Sequence, residues 1–70
     1  MTRVFVKSSM IASFGFDFSS STLEIEFNSG AVWQYFKVSK SVFYEMKAAS
    51  SFGRFFLNSI KDEYDELQVG

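Results

Sequence analysis

Trp33 and Tyr35 stand two residues apart in the stretch LEIEFNSGAVWQYF, Leu23 to Phe36. Two rings at that spacing on an exposed strand face would make a platform on which nucleic-acid bases stack. Arg54, next to Phe55, carries a planar guanidinium able to clamp phosphate or carboxylate. Lys40, Lys47 and Lys61 would extend it into a thin basic strip, suited to weak, salt-sensitive binding. Each feature also has a plainer reading, as core rings of a small domain and as solvated helix charges. The acidic run Asp62, Glu63, Asp65, Glu66 lacks the alternating ligand spacing and turn glycine of a calcium loop, so a solvated helix end or frayed tail is expected there.

The sequence holds no Cys and no His. That removes disulfides, Cys/His zinc sites, and Ser-His-Asp or Cys-His nucleophilic machinery. Glu24 and Glu26 share a strand face, but nothing aims them at a cleft. A chain of 70 residues leaves little room for a pocket of the usual size, about 300 Å³ or more. The expectation is a non-enzymatic module with no catalytic residue, cofactor or metal.

The elements that must position these residues begin with a hairpin. Leu23, Ile25 and Phe27 alternate with Thr22, Glu24 and Glu26, the pattern of a strand with one buried face. Asn28-Ser29-Gly30 reads as a three-residue loop whose last position has positive φ, which glycine accepts without a Cβ clash. If Phe27 and Ala31 close that loop, Ile25 faces Trp33, Leu23 faces Tyr35 and Glu24 faces Gln34. A slip to a two-residue Ser29-Gly30 loop would instead expose Trp33 and Tyr35 and bury Gln34. The first register buries more apolar area and no unpaired amide, and is preferred.

An earlier strand alternates Ala12, Phe14 and Phe16 with Ser13, Gly15 and Asp17. A four-residue loop, 18–21, would set Phe16 opposite Leu23 and Phe14 opposite Ile25. Three strands then present one apolar face of Phe14, Phe16, Leu23, Ile25, Phe27, Trp33 and Tyr35. The other face is polar except for Val32 and Phe36. After Val38, Ser39 or Ser41 caps a helix that buries Val42, Phe43, Met46 and Ala49. Ser50-Ser51 opens a second helix with Phe52, Phe56, Ile60 and Tyr64 at every fourth place, widened by Phe55 and Leu67. Gly53 inside it implies a close approach of its backbone to the sheet or to a neighbouring helix. The expected fold is α+β, a three-stranded antiparallel meander followed by two α-helices packed on one face. One domain spans 1–70, with 1–9 an extended arm and 65–70 a frayed tail.

Ten Phe, three Tyr and one Trp help so short a chain to build a core, and leave some aromatic surface for a partner. The net charge of −1 divides unevenly, +2 over residues 1–60 and −3 over residues 61–70. This balance disfavours strong nucleic-acid or membrane binding. No window approaches the roughly 18 apolar residues of a membrane span, and the start lacks a signal-peptide core, so a cytoplasmic protein is expected.

The ordered set SSMIASFGFD, LEIEF, SGAVWQYF, SVFYEMKAAS and SFGRFF with Ile60 downstream resembles the KTSC domain, named for the C-terminus of certain lysyl-tRNA synthetases and also found as a stand-alone bacterial protein. The resemblance rests on Trp33-Gln34-Tyr35 and Gly53-Arg54-Phe55-Phe56. It implies no established activity, and RNA binding only as a suggestion from the synthetase connection. Ser39 stands where proline is usual, a local capping change. Leu57, Asn58 and Ser59 occupy positions that are often basic or imidazole-bearing, and DEYDE replaces a basic surround, so most of any nucleic-acid footprint is gone. The residues favour a module acting through protein contacts, with a homodimer through Val32 and Phe36 or an edge strand. The alternative is weak RNA binding. Candidate binding residues are Trp33, Tyr35, Phe36, Arg54 and Lys61.

Overall fold

Alternating apolar residues make the strands, and the turns between them fix which face is buried. The computed structural model describes Met1–Gly70. Its elements are β1 (Arg3–Phe5), β2 (Ile11–Asp17), β3 (Thr22–Phe27), β4 (Val32–Tyr35), α1 (Lys40–Lys47), α2 (Phe52–Phe55), a π-helical turn over Phe56–Ile60, and β5 (Glu66–Gln68). One antiparallel sheet runs in the order β1-β2-β3-β4-β5.

The preferred hairpin register is the one present: Leu23 pairs with Tyr35, Glu24 with Gln34, and Ile25 with Trp33. Gly30 has φ 96°, and the Phe27 N–H donates to the Ala31 carbonyl at 2.9 Å. Across the other turn Phe16 pairs with Leu23 and Phe14 with Ile25. One detail differs from the simple alternation. A bulge at Ala12 sets Ile11 opposite Phe27 and Ser13 opposite Glu26, so fully buried Ile11 takes the core place expected for Ala12.

The three-stranded expectation is too small, and both chain ends supply the difference. The 1–9 arm contains β1, with Val4 opposite Phe14. The 65–70 segment, expected to fray, contains β5, in which Leu67 pairs with Gln34. The second helix is correspondingly shorter than its fourfold spacing suggests. It widens into the π turn, where the Lys61 N–H reaches the Phe56 carbonyl at 2.9 Å, and ends where Asp62 takes φ 64°. Four acids at a helix C-terminus would oppose its dipole, whereas pairing the chain with β4 satisfies an otherwise bare edge. Leu67 therefore lies in a strand and not on the helical stripe.

The helices cover one sheet face. Phe14, Leu23, Ile25 and Tyr35 from the sheet meet Phe43 and Met46 of α1 and Phe56 and Ile60 of the π turn in one buried cluster. A Cβ on buried Gly53 would stand 3.3 Å from the Met10 Cβ, so the close neighbour is the segment just before β2 and not a strand or another helix. No helix is long and apolar enough to cross a membrane.

Candidate interaction surfaces

The five residues singled out from the sequence separate into three places. Trp33 and Tyr35 lie on the core face. Tyr35 is only 2% exposed and sets its ring edge-to-face on Phe56 at 5.8 Å, while Trp33 is half-buried against the core. Burial, aided by the nearby Glu66 charge, pushes the Tyr35 phenol up to about 12. No base can stack on Tyr35 without opening the fold. Arg54 is exposed on α2, where it lines a shallow depression of about 260 Å³ with Ser50, Ser51, Phe55 and Asn58. Exposed Lys61 follows the π turn and does not line that depression. Phe36 continues β4 on the face away from the helices, half-buried, its N–H donating to the Asp65 carbonyl at 3.0 Å.

That outer face has two zones. At its centre Arg3, for which the sequence alone implies no role, reaches across β2 to β3. Its guanidinium donates to the Ser13 hydroxyl at 2.9 Å, pairs with Glu24, and lies 3.6 Å from Glu26. Ser13 donates to Glu26, and Gln34 to Glu24, each at 2.9 Å. The Gln34 amide and the Arg3 charge hold the Glu24 carboxyl below its ordinary value. Nearby, Val32, Phe36 and Leu67 form an apolar strip along β4 and β5, with Val69 bonded to the Val32 backbone. Leu67 is 56% and Val69 48% exposed, and neither helix lies over them. The alternation Leu67-Gln68-Val69 was the available signal for this strip, masked by the helical spacing of Tyr64 and Leu67.

A third surface, a groove of about 600 Å³ and so larger than expected of so short a chain, lies between the chain start, the β2–β3 turn and α1, lined by Phe16, Asp17, Phe18, Phe43, Tyr44 and Lys47 among others. Phe18 meets Phe16 at 4.9 Å and Phe43 at 5.9 Å. Asp17 accepts the hydroxyl and N–H of Ser19 at 2.7 and 3.0 Å, which lowers its carboxyl from the ordinary value. Phe18 sits in a turn, so strand alternation gave no sign of this wall.

Comparison with known proteins assigns the fold its family. The profile of the KTSC domain matches residues 7–64. An uncharacterized protein of Stutzerimonas stutzeri is 38% identical over 64 residues, covering 91% of this chain and 90% of its own. A lysine–tRNA ligase of Nostoc punctiforme is 40% identical over 63 residues, 90% of this chain but only 11% of the ligase. The crystal structure of a KTSC domain protein from Yersinia pestis superposes with a TM-score of 0.95 at 35% identity, covering 99% of this chain and 97% of the other. With strand order, register and buried aromatics all in place, the chain belongs to the KTSC domain family.

Proposed function

We propose that this KTSC domain is a non-enzymatic interaction module that works through protein contacts, its first partner being a second copy of itself. The observation that carries the reading is the strip of half-buried Val32 and Phe36 with exposed Leu67 on the outer face, along β4 and the edge strand β5. A two-fold axis through such a strip brings the same residues together from both copies. Beside it, Arg3, Ser13, Glu24, Glu26 and Gln34 bond one another, which offsets part of the cost of removing water from these charges but does not itself favour covering them. A stable contact takes about 800 Å² per partner.

The test is the mass of the protein as a function of concentration, with Phe36→Lys alongside and circular dichroism to confirm the fold. A dimer that Phe36→Lys returns to monomer supports the reading. A wild type that stays monomeric at every concentration rejects self-association. RNA binding is the competing outcome, marked by affinity that falls with salt and with Arg54→Ala. Its weakness is spatial, since Tyr35 lies inside the core and Lys61 does not line the depression at Arg54.

A further inference from the structure

We infer that the groove between the β2–β3 turn and α1 is a peptide site. It takes one apolar side chain against Phe18 and Tyr44, flanked by an acidic group at Lys47 and a basic group at Asp17. The inference goes beyond the self-association reading, because the groove shares no lining residue with the β4–β5 strip.

The wall is built in advance of any ligand. Phe18 and Tyr44 are 54% and 52% exposed, yet their ring centroids stand 6.2 Å apart. Both rest on Phe43, at 5.9 and 5.6 Å, and Phe43 is itself buried and stacked on Phe16 at 5.4 Å. A ring held this way loses little freedom on binding, so more of the contact energy survives as affinity. The volume of about 600 Å³ accommodates a side chain with its flanking backbone.

Charge selects among occupants. Lys47 Nζ hangs 5.5 Å from the Phe43 centroid and 5.8 Å from that of Tyr44, with no carboxylate partner. Asp17 spends Oδ1 on Ser19 and has no ion-pair partner either. The groove thus offers the Lys47 cation and the Asp17 anion around an aromatic floor, with Met1 at the chain start also on its rim. A nucleic-acid strand, negative at every phosphate, loses at Asp17 what it gains at Lys47. A peptide can place opposite charges on the two sides of a single anchor, which is the complementary arrangement.

Nuclear magnetic resonance titration of the full chain tests this with acetylated, amidated tetrapeptides. The probes are Glu-Leu-Phe-Lys, the charge-reversed Lys-Leu-Phe-Glu, and the neutral Gln-Leu-Phe-Gln, with oligouridylate as the nucleic-acid arm. The expected result is saturable shifts at Phe18, Ser19, Tyr44 and Lys47, with one charged order binding about three- to tenfold more tightly than the neutral peptide. Lys47→Met and Asp17→Asn each remove part of that preference, and Phe18→Ser, on an exposed turn, removes the shifts while the spectrum stays dispersed. Should Phe18→Ser lose dispersion, Tyr44→Ser on the outer side of α1 replaces it. No saturable shifts with any peptide, or equal affinity for charged and neutral peptides, overturns the inference. Groove shifts with oligouridylate and none with peptides reassign the groove to nucleic acid. None of these outcomes depends on the mass measurement at Phe36, so the two readings fail separately.

Discussion

The two faces of one sheet are held in different ways. On the inner face Tyr35, Ile25, Leu23 and Phe14 are buried under the helices, and stability comes from apolar area and ring contacts. On the outer face one cation, Arg3, links two carboxylates and a hydroxyl, and the apolar strip beside it stays open. The contrast teaches that alternation sorts residues between faces without saying how the second face is secured. The inner face holds the chain together, while the outer face is available for contact.

Substitutions measure that difference directly. Tyr35→Ala on the inner face removes a buried ring and should cost about 3–5 kcal/mol in chemical denaturation; a loss near zero would dissolve the contrast. The same ring has an alkaline signature. Its phenol is neutral in the fold up to about 12. The stability it contributes is therefore present below the ordinary tyrosine value, about 10, and is lost as pH rises from there towards the folded value. Tyr35→Phe should keep its stability through that window.

Arg3→Ala on the outer face should cost less, about 1–2 kcal/mol, because the groups it leaves are only partly shielded from water. Hydrogen exchange should locate the damage in β1 and spare the β3–β4 hairpin. Smaller again is the effect of Glu24→Gln. Because Glu24 titrates below its ordinary value in the fold, its stabilisation is present above the unfolded carboxyl value and is lost as pH falls through the folded one. The variant should flatten the acid side of the stability profile, and an unchanged acid limb would show that ionised Glu24, held by Gln34 and Arg3, contributes nothing. Phe36→Lys should change the stability of the single chain by about 1 kcal/mol or less, since Phe36 is only half-buried and lies away from the core.

Much of the inner face was legible in the sequence. Period two in Leu23, Ile25 and Phe27, together with Gly30 at a positive-φ turn position, fixed the hairpin and so buried Tyr35. Residues whose placement depends on distant partners were not legible. Arg3 gains its role only when β1 pairs with β2 and its side chain crosses to Glu24. Leu67 fits a helical stripe by spacing, and only the left-handed turn at Asp62 and the free edge of β4 turn it into a strand residue. Of the candidate site, Phe36 was correctly placed on the outer face by parity, whereas the Phe18–Tyr44 wall joins a turn to a helix and has no period to reveal it.

The most direct test of the central claim, that the outer face at β4 and β5 is the contact surface, is hydrogen exchange of the full chain at low and high protein concentration. Slower exchange at high concentration is expected in residues 32–36 and 66–69, with the helices unchanged and the effect absent in Phe36→Lys. Exchange that does not depend on concentration there, or protection confined to α1 and α2, would contradict it.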